Sequence, residues 1–214
     1  MTVHQEQFAA LLRSAVVIPV LTIERLEHAV PLARALVAGG VRVLEVTLRT
    51  PVAIEAARAI MSEVPEAIVG IGTILNADDL AQAKTLGASF GISPGATPDL
   101  LKAAAASGLP FVPGIATASE VMQALAHGFN LLKFFPGEQS GGIKALRALA
   151  GPFPDVRFCP TGGVGEANAA AWLAEPNVVA VGGSWLCPAA DIRSGNWDGI
   201  TAMCELAMKL LKPA

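Results

Sequence analysis

Eight short runs rich in β-branched and aliphatic residues alternate with segments of helical periodicity, and this alternation limits the chain to folds built from repeated βα units. The candidate strands are Val16–Val20, Val41–Thr47, Ala67–Gly72, Ser89–Ile92, Pro110–Val112, Leu131–Phe134, Val156–Cys159 and Val178–Val181. Glycine and proline mark the joints: Gly39-Gly40, Gly87, Gly108 and Gly128 precede strands, while Pro94-Gly95, Pro113-Gly114 and Pro136-Gly137 follow them. The last three joints form a weak internal repeat of about twenty residues, as expected if one βα unit is used over and over. In the first helical segment Leu26, Val30, Ala33 and Val37 fall on one face, with Arg25, Glu27, His28 and Arg34 elsewhere.

The pattern predicts an α/β protein, a single (β/α)8 TIM-barrel domain over residues 1–214. An extra N-terminal helix is expected around Glu6 to Ser14, and a closing helix from Trp197 to Leu211. A doubly wound open sheet is the rival, but no GxGxxG fingerprint opens the first unit.

Composition narrows the function classes. With 53% hydrophobic residues among 214 and a mean hydropathy of +0.53, the chain can bury a sizeable core. Gly, Pro or a charge interrupts every apolar run before it reaches the roughly 18 residues a membrane helix needs. The first residues carry neither a basic nor an apolar signal region, so a cytoplasmic location is expected. Cys159, Cys187 and Cys204 lack CxxC spacing and are expected as reduced, buried thiols. His4, His28 and His127 are scattered, so no metal site is predicted. A net charge of −3 with dispersed Lys and Arg offers no patch for nucleic acid. The expected partner is a small molecule.

The chemistry-bearing residues sit at the ends of the candidate strands. Lys133 lies within Asn130-Leu131-Leu132-Lys133-Phe134-Phe135-Pro136, a run that otherwise reads as buried strand. Such a lysine either reaches solvent from an edge or is a Schiff-base nucleophile whose amine is made available by apolar surroundings. Glu45 shares a strand face with Thr47 and Arg49 by the two-residue period, so it is expected to face the same interior. It is either half of a structural ion pair or an acid/base beside an imine. Arg49 offers a planar fork for a carboxylate, and Thr73 adds a hydroxyl. After the seventh and eighth strands, Thr161-Gly162-Gly163 and Gly182-Gly183-Ser184 are either ordinary turns or a backbone phosphate site.

The segments VRVLEVTLRT (41–50), EAIVGIGTILN (66–76), ISPGATPDLL (92–101), FVPGIATASE (111–120), LLKFFPGEQSGGIKAL (131–146), GPFPDVRFCPTGGV (151–164) and VGGSWL (181–186) resemble, in order and over nearly the whole chain, the bacterial 2-keto-3-deoxy-6-phosphogluconate aldolases, class I aldolases of the KDPG/KHG aldolase family. The resemblance implies that Lys133 forms the imine and that Glu45 is the acid/base. It implies that Arg49 and Thr73, with Pro94 and Phe135, hold the pyruvate part. Thr161 would handle the hydroxyl-bearing carbon, and Gly162, Gly163, Gly183 and Ser184 the phosphate. It further implies no metal or cofactor, a phosphorylated 2-oxo acid substrate, a side activity on 4-hydroxy-2-oxoglutarate, and a homotrimer. An aldolase for the galactonate epimer and a non-catalytic phosphosugar-binding barrel are the alternatives. Gly137, Ile71 and Ala116 depart from the family pattern, where alanine, alanine and serine are usual, and the first two are expected to alter the pocket wall.

Overall fold

The computed structural model describes residues 3–211. It opens with α1 (Val3–Ala15), followed by β1 (Val17–Leu21), a 3-10 turn at Leu26–His28, α2 (Ala29–Ala38), β2 (Val43–Thr47), α3 (Ala53–Glu63), β3 (Ile68–Gly72), α4 (Ala77–Leu86), β4 (Phe90–Ile92) and α5 (Pro98–Ser107). The second half runs β5 (Phe111–Val112), β6 (Gly114–Ile115), α6 (Ala118–Ala126), β7 (Leu131–Phe134), α7 (Gly142–Ala150), β8 (Arg157–Pro160), α8 (Ala169–Leu173), β9 (Val181–Gly183), α9 (Ala189–Ser194) and α10 (Trp197–Leu211). Local chemistry sets several boundaries. Asn76 caps α4 by accepting from the Asp79 amide, and Thr117 and Glu120 form a reciprocal capping box on α6. Thr97 caps α5 just before Pro98, and Gly108 ends it in the left-handed region.

The strands are parallel and form a curled α/β sheet. Six pair in the order β5-β4-β3-β2-β1-β9 and three in the order β6-β7-β8. Where the sequence predicts one strand at Pro110–Val112, two short pieces flank Pro113, which has no N–H to donate to a ladder. Its carbonyl instead accepts from the Lys133 amide at 2.9 Å, so the chain leaves one sheet and joins the other within a residue. The strand expected at Val178–Val181 begins only at Val181. Two isolated parallel bridges, Phe158↔Val178 and Thr161↔Gly182, join it to the β8 segment. The eightfold ladder expected from the sequence is thus interrupted at two places.

Two apolar layers follow from strand alternation. Val17, Leu44, Val46, Ile71, Leu132, Phe134 and Phe158 pack outward against the helices. Ile18, Val43, Phe90, Ile92, Val112, Leu131 and Cys159 face the enclosed side, together with Phe8 and Leu12 from α1. The expected N-terminal helix therefore stoppers the N-terminal ends of the strands, with the Phe8 ring 5.2 Å from that of Phe90. The face predicted for the first helical segment is displaced. Leu26 lies in the 3-10 turn and is 40% exposed, while α2 buries Ala29, Leu32, Ala33, Ala35 and Leu36. The turn changes the helical phase, so Leu26 leaves the Ala33 face. Among the described residues no helix is long and apolar enough to cross a membrane.

Leu12 is fully buried and Leu11 only partly so. Leu12→Ala should cost about 3 kcal/mol and lower Tm by roughly 10 °C, against a far smaller effect of Leu11→Ala in the same thermal melts.

Candidate active site

Alternation along β2 and β7 turns Glu45 and Lys133 to the enclosed side, and the register explains why both side chains fit there. Lys133 is paired with Gly114 on one side and Cys159 on the other, while Glu45 is paired with Val20 and Gly70. The Pro94 backbone fills the space over Gly114 and the Phe90 ring that over Gly70, so these glycines let neighbouring groups close in beside the pair. Gly72 makes room for the glutamate: a Cβ there would lie 2.1 Å from Glu45 Oε1, so the carboxylate occupies the volume that any other side chain would take. The lysine Nζ donates to Glu45 Oε1 at 3.1 Å across 88 residues of chain. The two residues are 4% and 2% exposed, respectively. Ions so far removed from water are held by mutual attraction that must offset a desolvation cost of several kcal/mol each. Lys133 is therefore no edge lysine. Its Nζ lies 5.4 Å from the centroid of the Phe135 ring.

Above this pair opens a cleft of about 200 Å³, lined by Arg49, Phe135, Thr161, Gly162, Gly163, Gly183 and Ser184, with Val20, Thr22 and Val164. Lys133 and Glu45 do not line it themselves. They lie one strand period deeper than Phe135 and Thr47, at its floor. At the rim Arg49 Nε donates to Thr73 Oγ1 at 3.3 Å. Thr73 holds φ at +62°, a conformation a β-branched residue adopts at a cost of about 1–3 kcal/mol. The surrounding bonds enforce it, Leu48 N–H to the Gly72 carbonyl at 2.9 Å and Ile74 N–H to the Ile92 carbonyl at 3.2 Å. The strained backbone puts the hydroxyl beside the guanidinium.

The structure thus brings Glu45, Arg49, Thr73, Lys133, Phe135, Thr161, Gly162, Gly163, Gly183 and Ser184 to one end of the sheet. Pro94, like Lys133 and Glu45, does not line the cleft itself: its backbone lies over Gly114, the register partner of Lys133, where a Cβ would come within 2.2 Å of the Pro94 carbonyl carbon. Cys159, in register with Lys133, is a thiol that burial pushes up to about 12. The Lys133 ammonium opposes the shift and the Glu45 carboxylate adds to it. It stays a neutral thiol, a poor nucleophile. All three cysteines are free and buried, as expected. Of the departures from the family pattern, Ile71 packs in the outer layer and Gly137 beneath the Thr161 and Gly162 carbonyls. Neither lines the cleft, so the expected change in its wall does not follow. A larger concavity of about 350 Å³ lies near α1 and the start of β7 and is mainly apolar, bounded by Phe8, Phe111, Phe129 and Leu131.

One group behind the cleft wall, packed against Gly163, escaped the sequence reading. Glu138, in the turn after β7, accepts from Trp172 Nε1–H at 2.9 Å and from Asn168 Nδ2–H at 3.1 Å. In sequence it is an unremarkable glutamate of a polar loop, and only the fold reveals its partners.

A parallel α/β sheet with a buried amine–carboxylate pair beneath a cleft at the strand C-termini is the architecture of an aldolase. Residues 8–203 match the family model for KDPG and KHG aldolase, and the chain belongs to that family. It is 54% identical over 200 residues to the KHG/KDPG aldolase of Escherichia coli (strain K12), covering 94% of each chain. The crystal structure of the 2-keto-3-deoxy-6-phosphogluconate aldolase of Zymomonas mobilis ZM4 with 3-phosphoglycerate is similar at a TM-score of 0.91 and 47% identity, covering 98% of both chains. The KDPG aldolase of Legionella pneumophila, with pyruvate captured at low pH as a covalent carbinolamine intermediate, has a TM-score of 0.90 and 46% identity over 92% of this chain and 96% of that one.

Gly72→Ala tests the packing of the pair. The added methyl must displace the carboxylate, and the variant should fold yet exchange the methyl protons of pyruvate with solvent at least 100-fold more slowly, as followed by NMR in deuterium oxide.

Proposed function

We propose that the chain cleaves 2-dehydro-3-deoxy-6-phosphogluconate to pyruvate and glyceraldehyde 3-phosphate through an imine on Lys133, and that its two sheets work as one (β/α)8 barrel. The observation that carries this reading is the 3.1 Å contact between two buried, oppositely charged groups beneath a cleft lined by Arg49 and by the 162–163 and 183–184 loops.

The resting pair first transfers a proton from Nζ to the carboxylate or to water, which frees the amine. Lys133 adds to the C2 ketone, and the proton taken from Nζ returns to the carbinolamine hydroxyl, which leaves as water; this restores the Glu45 carboxylate and gives an iminium that can accept an electron pair. Glu45, as carboxylate, takes the proton of the C4 hydroxyl directly or through a water. The C3–C4 bond breaks, its electrons pass into the iminium to form an enamine, and the phosphorylated aldehyde leaves. Protonation of the enamine at C3 by Glu45 and addition of water release pyruvate and restore the amine. No oxidant is consumed and no cofactor is needed.

Arg49 and Thr73 grip the carboxylate, while Pro94 and Phe135 bound the pyruvate part. Thr161, which lines the cleft, would meet the C4 hydroxyl, and the 162–163 and 183–184 loops would hold the phosphate. Binding at the two ends contributes to orientation at the carbon between them. The carboxylate grip does not depend on the phosphate loops, which favours a slower second activity on 4-hydroxy-2-oxoglutarate. A non-catalytic sugar-phosphate carrier would have no use for the buried pair. The homotrimer and cytoplasmic location implied by the resemblance belong to this same reading.

Borohydride reduction in the presence of pyruvate should add a stable three-carbon mass to the peptide bearing Lys133. Lys133→Ala should lose it, and an adduct surviving in that variant moves the nucleophile elsewhere. Glu45→Gln should still trap some pyruvate but exchange its methyl protons at least 100-fold more slowly. Exchange at the parent rate would remove Glu45 from its role.

A further inference from the structure

A backbone anion site works only if its carbonyls are turned away from the ligand, because each carbonyl oxygen carries the partial charge that repels a phosphate. In the loop after β8 three consecutive carbonyls are turned away by named partners. The Thr161 carbonyl accepts from Gly137 N–H at 2.7 Å and the Gly162 carbonyl from Glu138 N–H at 3.0 Å. The Gly163 carbonyl accepts from Asn168 Nδ2–H at 3.0 Å. In a trans peptide the N–H points opposite to the carbonyl that precedes it. Holding the Gly162 and Gly163 carbonyls on the far side therefore aims the amides of Gly163 and Val164 the other way, and both residues line the cleft. Among the described residues neither amide donates to a protein acceptor.

Glu138 ties these bonds together. Its amide holds the Gly162 carbonyl, and its Oε1 accepts one Nδ2 proton of Asn168, whose other proton goes to the Gly163 carbonyl. Asn168 Oδ1 accepts from Gly165 N–H at 2.8 Å, which fixes which way the amide faces. The same Oε1 accepts from the indole of Trp172, a fully buried residue whose ring lies 6.2 Å from Phe134, the neighbour of Lys133 in β7. The stem of Glu138 lies against Gly163: a Cβ on Gly163, which sits at φ +74°, would come within 2.6 Å of Glu138 Cβ.

From this juxtaposition we infer that Glu138 is a positioning residue. It clamps the phosphate loop to the strand that carries the imine lysine, and so sets the reach between the reacting ketone and the phosphate. The inference rests on the aldolase reading above and adds to it what distinguishes phosphorylated from unphosphorylated substrates. A residue with only a structural role would lower activity on both alike.

The test compares kcat/KM for 2-dehydro-3-deoxy-6-phosphogluconate with that for its unphosphorylated analogue. Glu138→Ala should reduce the ratio of the two at least tenfold, mainly through a higher KM for the phosphorylated substrate. Glu138→Gln keeps an acceptor oxygen at the same place and should hold the ratio within about threefold of the parent. Trp172→Phe removes one donor to Oε1 and should shift the ratio in the same direction by a smaller factor, which keeps the inference testable if Glu138→Ala does not fold. An unchanged ratio in Glu138→Ala, an equal loss on both substrates, or a Gln variant as impaired as the Ala variant overturns the clamp. Failure of the parent protein to trap pyruvate at Lys133 overturns the aldolase reading instead, so the two failures are told apart.

Discussion

A buried ammonium and a buried carboxylate in contact are the constraint around which the rest of this molecule is arranged. Each ion is enclosed by protein and faces the other, and the pair adds little net stability once desolvation is counted. Its presence has to be supported by apolar burial elsewhere, in the outer layer of strand and helix contacts and the inner layer beneath Lys133. The immediate surroundings are correspondingly spare: Gly114 and Cys159 flank the lysine, and Gly72 leaves its own side-chain volume to the glutamate. A side chain at Gly72 would displace the carboxylate, and one at Gly114 would strike the Pro94 backbone.

The two ends of the cleft use different physics. At one end Arg49 and Thr73 present side-chain donors, with Thr73 in an unfavourable backbone conformation that the neighbouring strands over-determine. At the other end the donors are amides, and their aim depends on what holds the carbonyls behind them. Side-chain recognition tolerates small backbone shifts because rotamers adjust, whereas amide recognition does not. The hydrogen bonds around Glu138 and Asn168 are concentrated where that tolerance is smallest.

Much of this was legible in the residues themselves, for reasons that also explain what was not. Lys133 and Glu45 could be placed on one interior because strand periodicity is two and both lie in β-rich runs. The caps at Asn76, Thr97 and Thr117 were not picked out in the sequence, although their chemistry spans only a few residues. The division at Pro113 was harder, since a proline at the end of an expected strand does not announce that the chain resumes pairing one residue later. The α2 face was misphased because a 3-10 turn precedes it. Pro94 was assigned to the pyruvate part by resemblance, and no sequence pattern shows that its backbone packs on Gly114, the register partner of Lys133. Glu138 was passed over because its partners lie 30 and 34 residues away in sequence. No local pattern encodes that distance.

The helix that seals the lower end of the strands has one more consequence. With Phe8 and Leu12 filling that end, traffic into the interior is confined to the upper mouth. On the reading proposed above, a long substrate would go in with its keto-acid head leading, and the aldehyde, nearer the mouth, would come out before the covalently held remainder. The order of product departure would be dictated by a stoppered vessel and need no moving gate.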